Sequence, residues 1–327
     1  MTTDQEQVRF GSTDLYVTRL CQGTAFRHLK RGPEDENGQR VLRHCLDLGV
    51  NFFDTAKAYG WGGGEKALGQ AIKGQREQVI ICTKITSYLS PNNTSKKRSE
   101  QTNFSREYLA KETEKSLERL GTDYVDLLLL HQPDGVTQAE EIVESMDSIV
   151  RAGKTRYWGV SNYSGEFVES LIKASTQTNT SPPAGTEDYY NIAGQYSMGE
   201  DGSRVRQLER ELFPIVRSGE MGLIVYSPVD GGRLTGTDDS VPNKLLSRLL
   251  ASIDEVASGL EVSRAQVCIA WILTKPEVTS VLAGSESIEH VEENIAGSSL
   301  VLPSAAIKIL NQAHNNFIDG MESEISK

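Results

Sequence analysis

Residues 124–160 read YVDLLLLHQPDGVTQAEEIVESMDSIVRAGKTRYWGV, and this stretch decides the fold. It opens on 124–130, apolar nearly throughout, as a strand buried on both faces of a parallel sheet would be. A segment of helical period follows over 140–152 and stops at Gly153, after which 157–160 is again short and apolar. Strand, helix and strand in that order make one unit of a parallel sheet covered by helices.

The same alternation continues towards both ends. Upstream, 107–120 carries Leu109, Leu117 and Leu120 among charges, with Gly121 where a helix should stop. Strand candidates lie at 20–23, 51–54, 79–83, 124–130, 157–160, 189–193, 223–226 and 279–282. Between the fifth and sixth, the stretch 175–188 contains Pro182, Pro183 and Gly185 and reads as a surface loop. Ahead of the first, 8–17 turns through Gly11-Ser12 and reads as a hairpin closing the bottom of a barrel, while 303–327 forms a helical tail. Eight alternations predict an α/β fold of (β/α)8 TIM-barrel type, one domain over 1–327. An open doubly wound sheet would carry a Gly-x-Gly-x-x-Gly turn after its first strand, and none is present.

Charge and composition exclude several functions. A net charge of −11 repels a phosphate backbone, and the one dense basic run, Lys96-Lys97-Arg98, sits in a polar loop, so no nucleic-acid partner is expected. The cysteines Cys21, Cys45, Cys82 and Cys268 form no C-x-x-C pair, so neither a metal site nor a redox dithiol is expected. The opening MTTDQEQ lacks the features of a signal peptide, and no apolar run approaches the ~20 residues needed to cross a bilayer. A cytoplasmic protein with no membrane partner is the expectation, with the oligomeric state open.

In such a barrel the active site lies at the C-terminal ends of the strands. Asp54, Lys84 and His131 each end an apolar run, and Tyr59 follows Asp54 in the next loop. Singly, each reads as a solvated rim group or a structural hydrogen-bonder. Together they make a proton-transfer device. A free tyrosine titrates near ~10, too high for acid-base work at neutral pH, and an adjacent Lys84 ammonium is expected to lower that value. Asp54 would hold Lys84 charged, and His131 would hydrogen-bond the substrate oxygen. With no serine or cysteine nucleophile beside a base, the set suits carbonyl-alcohol chemistry with hydride carried by a cofactor. A strand-end lysine also fits a Schiff-base aldolase using Lys84, although Asp54 argues against it by keeping the amine charged.

The segment GVNFFDTA at 49–56, followed by Tyr59-Gly60, Glu65 and Leu68-Gly69, resembles the signature of the aldo-keto reductase superfamily. The likeness continues through Gly159-Val160-Ser161-Asn162-Tyr163, Gln195-Tyr196-Ser197, Tyr226-Ser227-Pro228, Gly284-Ser285 and Glu293-Asn294. It implies a nicotinamide-dependent oxidoreductase with Asp54, Tyr59, Lys84 and His131 as catalytic tetrad. Ser161, Asn162 and Gln195 would then hold the nicotinamide carboxamide, Tyr226 would lie against the ring, and Gly23 and Thr24 would touch the cofactor. Ser227, Pro228, Val229 and Arg233 would meet the pyrophosphate, and Gly284, Ser285, Glu286, His290, Glu293 and Asn294 the adenosine. Phe26, Arg27, Trp61 and Tyr88, with Tyr59 and His131, would line the pocket for a carbonyl, polyol or sugar substrate. Gly62-Gly63-Gly64 lacks the Lys-Ser/Thr of a phosphate loop and reads as a flexible rim turn.

Two further points depend on that likeness. Members selective for the phosphorylated cofactor place cations where this chain has Gly284, Glu286 and His290, so NAD(H) is expected to serve at least as well as NADP(H). The same fold also serves cofactor-binding sensors such as potassium-channel beta subunits, which leaves a non-enzymatic alternative.

Overall fold

The computed structural model describes residues 5–26, 36–87, 103–194, 208–236 and 244–325. Arg27, Tyr88, Gln195 and the basic run 96–98 lie outside the described residues.

Two short strands, β1 (Gln7–Arg9) and β2 (Tyr16–Thr18), pair antiparallel with Val8 opposite Val17. Eight parallel strands follow: β3 (Leu20–Gly23), β4 (Phe52–Asp54), β5 (Ile80–Ile85), β6 (Val125–Leu130), β7 (Thr155–Ser161), β8 (Gly185–Tyr189), β9 (Gly222–Tyr226) and β10 (Ser280–Ala283). Each pairs with the next, and β10 closes onto β3 with Val281 opposite Leu20. The result is the (β/α)8 barrel with its closing hairpin.

The unbroken apolar run of β6 serves two cores. Because strand side chains alternate in direction, Leu127 and Leu129 fill the barrel interior while Leu128 and Leu130 pack outward under the helices. Phe10, carried by the hairpin, plugs the bottom of the interior against Phe52, ring centroids 6.1 Å apart, and is completely buried. It fits because β8 and β9 begin with glycine. A Cβ on Gly185 or Gly222 would stand 2.5 Å from the Phe10 ring.

The outer layer comprises α1 (Glu36–Asp47), α2 (Gly63–Ala71), α3 (Arg106–Leu120), α4 (Ala139–Arg151), α5 (Gly165–Thr178), α6 (Leu208–Glu211), α7 (Phe213–Gly219), α8 (Lys244–Leu260), α9 (Arg264–Leu273), α10 (Ile288–Ser299) and α11 (Ser304–Ile325). Serine N-caps start α3, α5, α9 and α10 from Ser105, Ser164, Ser263 and Ser287. Among the described residues no single helix is long and apolar enough to cross a membrane.

One strand departs from the sequence reading. The sixth barrel strand is Gly185–Tyr189, four residues ahead of the expected 189–193, and of the expected loop 175–188 only 179–184 lies outside helix and strand. Its first residues complete α5, and its last form β8, buried throughout. Thr186, Glu187 and Asp188 made it look like a loop. Their polar groups are nevertheless sequestered, Thr186 Oγ1 donating to Asp188 at 2.6 Å and Glu187 turning towards the active-site lysine. Gly62-Gly63-Gly64 is likewise no flexible turn: Gly63 and Gly64 begin α2, and Gly64 packs so closely that a Cβ would lie 2.8 Å from Thr24 Oγ1.

Candidate active site

Parallel pairing aligns the ends of the strands, and this is what gathers the site. Gly23 stands opposite Asp54, and Asp54 opposite Cys82, so the following residues of β4 and β5 open onto one mouth. Lys84, fully buried, donates from Nζ to Asp54 Oδ2 and to the Thr55 carbonyl at 3.3 Å. Its third direction is Tyr59, whose hydroxyl lies 3.1 Å from Nζ. Tyr59 opens the tight turn Tyr59–Gly62, in which Gly60 and Trp61 take left-handed φ of 56° and 57° and Trp61 stands 72% exposed at the rim. His131, just past β6, meets the Tyr59 ring edge-on with centroids 5.8 Å apart, and its Nδ1 lies 3.0 Å from Thr86 Oγ1.

A second set of expected residues converges beside the first. Asn162 takes φ 63° past the end of β7, its Nδ2 donating to Ser161 Oγ at 2.9 Å and to the His131 carbonyl at 3.1 Å. Tyr226 at the end of β9 donates to Asn162 Oδ1 at 2.8 Å. Across the mouth, Asn294 Nδ2 donates to Ser285 Oγ at 2.8 Å, Thr24 Oγ1 bonds Thr55 Oγ1 at 2.8 Å, and the Glu286 carbonyl accepts from Asn37 at 3.1 Å. Ser287, rather than any of these, caps α10, and the His290 amide donates to it. Arg233 lies 3.3 Å from Asp230 within the turn Asp230–Thr235. Phe26 is 7% exposed and belongs to the same buried cluster as Leu128 and Leu130. Glu65 is structural, its carboxylate accepting from Thr83 at 2.8 Å and from Arg119 at 2.5 Å.

The aldo/keto reductase family model matches residues 19–315, from the first barrel strand into α11. The chain belongs to the aldo/keto reductase family. Its relatives include the oxidoreductase YrpG of Bacillus subtilis, 30% identical over 326 residues covering 94% of this chain and 95% of that one. Methylglyoxal reductase YeaE of Escherichia coli is 30% identical and covers 95% of each chain. A probable voltage-gated potassium channel subunit beta of Arabidopsis thaliana is 29% identical, covering 89% of this chain and 90% of its own.

In this aldo-keto reductase the Tyr59–Lys84–Asp54 cluster is consistent with the Tyr/Lys/Asp arrangement of the family, which serves hydride-transfer oxidoreduction by a nicotinamide dinucleotide. The electrostatics differ from the sequence reading in one respect. Burial raises the Tyr59 phenol above its ordinary value; Lys84 pulls it down, but Asp54 and Glu187 add to the rise. Tyr59 is therefore a phenol, not a phenolate, before substrate arrives. Burial works against the Lys84 charge, yet the two carboxyls together outweigh it and hold the ammonium well above its usual range. Burial, helped by the Lys84 charge, drops His131 to about 3, so its ring is neutral.

One residue of this cluster escaped the sequence reading. Glu187 Oε1 lies 3.2 Å from Lys84 Nζ, and Glu187 pairs in register with Ser161 on the neighbouring strand. Loop length carried the signal that would have found it: α5 ends at Thr178, and strands in α/β units follow within about 2–6 residues.

Proposed function

We propose that the enzyme interconverts an aldehyde, ketone or sugar carbonyl with its alcohol, with Tyr59 as the general acid in reduction and general base in oxidation. The observation that carries this reading is the 3.1 Å contact of the Tyr59 hydroxyl with a lysine that two carboxyls keep charged. The rim suits a dinucleotide. Ser161 and Asn162 offer amide and hydroxyl groups, Tyr226 a ring face, and Gly284 leaves open space where a Cβ would stand. A nicotinamide held there supplies or accepts the hydride.

The protein's own groups handle the proton. Tyr59 gives its hydroxyl proton to the substrate oxygen as charge develops there, and Lys84 stabilises the phenolate left behind. His131 is neutral, and in the tautomer whose Nδ1 accepts from Thr86 Oγ1, the Nε2–H can orient that oxygen. Lys84 is unsuited to a Schiff base, because the amine must be uncharged to attack a carbonyl.

For the cofactor, NAD(H) is favoured or shared with NADP(H). Glu286 sets a carboxylate where a cation would pair with a 2′-phosphate, and it can instead accept from a ribose hydroxyl. Arg233 is engaged by Asp230. Exchanging Glu286→Arg is expected to shift the ratio of kcat/KM towards NADP(H) by roughly tenfold, and no shift would remove Glu286 from the ribose site.

A screen of aldehydes, ketones, sugars and polyols, followed by cofactor absorbance in both directions, tests the activity. Likeness to the channel subunits supports a second reading, a cofactor-holding subunit of a larger assembly. Cofactor binding without turnover on any of these compounds would favour it.

A further inference from the structure

The charges in the Lys84 pocket do not balance. One ammonium and two carboxyls meet there with exposures of 0% for Lys84, 1% for Asp54 and 2% for Glu187, so no solvent shares the load. Lys84 engages one oxygen of each carboxyl. The other two, Asp54 Oδ1 and Glu187 Oε2, are buried without a hydrogen-bond partner among the described residues. An isolated buried carboxylate is strongly disfavoured, and one lysine cannot neutralise two. A carboxylate oxygen of Asp54 and one of Glu187 lie within 4.8 Å of each other and of Cys82 Sγ.

Among the described residues no second cation answers this excess. Among the described residues, the titratable groups that share the field of Glu187 are Asp54 on β4, Lys84 and Cys82 on β5, Cys21 on β3 and Tyr59 in the rim turn. Both thiols are pushed well above their ordinary range by burial and stay neutral. The remaining way to balance the pocket is a proton placed on the carboxyls, as in other paired carboxyl groups that cannot both ionise.

We propose that Asp54 and Glu187 hold one proton between them, and that this carboxyl pair is the proton reserve behind Tyr59. The proposal rests on Tyr59 as the proton donor. In reduction, the Tyr59 O–H bond breaks and its proton goes to the substrate oxygen. A Lys84 N–H proton then passes 3.1 Å to the phenolate oxygen, and the shared carboxyl proton restores the ammonium across the Lys84 contacts. The electron pairs stay on the oxygens and nitrogen that release the protons, so the relay itself changes no oxidation state, and the hydride of the reduced cofactor is the only reductant needed. The phenol is thereby reset within the site, and the pocket changes from neutral to one net negative charge until water reloads it after product leaves. Glu187 acts through Lys84 and is a positioning residue.

Infrared spectroscopy of the unliganded protein at pH 7 reads that proton without turnover. A protonated-carboxyl stretch that moves on exchange into D2O and on carboxyl-13C labelling of aspartate and glutamate is expected in the wild type. Tyr59→Phe should keep it. Both Glu187→Gln and Asp54→Asn should lose it, because each leaves a one-to-one pair with Lys84. Absence of the band from the wild type, or its persistence in both variants, overturns the proposal. Should a variant fail to fold, the labelled wild-type spectrum alone decides. A missing band alongside a turnover-dead Tyr59→Phe would sink the reserve and leave the role of Tyr59 standing.

Discussion

Tyr59 and Lys84 are individually ordinary, and the chemistry arises from their separation of 3.1 Å, with Lys84 fully buried and Tyr59 half-buried above it. Among the described residues, Lys84 is what lowers the phenol's affinity for its proton against burial and two carboxyls. Lys84→Met should therefore cut kcat by roughly 10²-fold or more and move the rising limb of the oxidation-direction pH profile to higher pH, since oxidation needs the phenolate. An unmoved profile with substantial activity would take Lys84 out of the mechanism. His131 offers a pH test on stability. Its folded value of about 3 lies below the ~6.5 of an unfolded histidine, so the unfolded chain binds the extra proton between these values. Its contribution is fully present above pH ~6.5 and is lost as pH falls towards 3. Urea midpoints of His131→Asn should fall less steeply with acid over that window than those of the wild type; parallel curves would contradict the assignment. Asp54, Tyr59, Lys84 and His131 were legible because each interrupts or follows an apolar run. Glu187 was not, since a carboxylate inside a polar stretch looks solvated until the barrel closes around it.

At the scale of elements, seven barrel strands could be found from apolarity, because their inward and outward side chains both meet hydrophobic layers. The eighth, β8, could not. Its inward-facing end serves the lysine pocket rather than a core, so the residues that make it functional erase the pattern by which strands are found. Its place depends instead on backbone fit. A Cβ on Gly159 of β7 would stand 2.2 Å from the Gly185 carbonyl oxygen, so these strands approach as closely as they do only because the position is glycine. Gly159→Ala should destabilise the protein by about 1–3 kcal/mol and also impair turnover, since Ser161 and Glu187 are paired two residues further along. Unchanged urea midpoint and kcat would show that the strands tolerate separation.

Across the whole molecule, a hairpin seals one end of the barrel with Phe10 while the opposite end gathers the reactive groups, so stability and chemistry occupy different faces. Family membership, the fold and the tyrosine–lysine–aspartate cluster agree on hydride transfer paired with proton transfer. The two transfers can be followed together with a cofactor carrying deuterium on the transferring face of its nicotinamide and a carbonyl substrate taken from the screen. The wild type should place the deuterium on the carbonyl carbon of the alcohol product. Tyr59→Phe should bind the cofactor with nearly the same Kd yet transfer the label at least roughly 10²-fold more slowly. Label appearing in solvent, or a Tyr59→Phe rate within about half that of the wild type, would contradict the account.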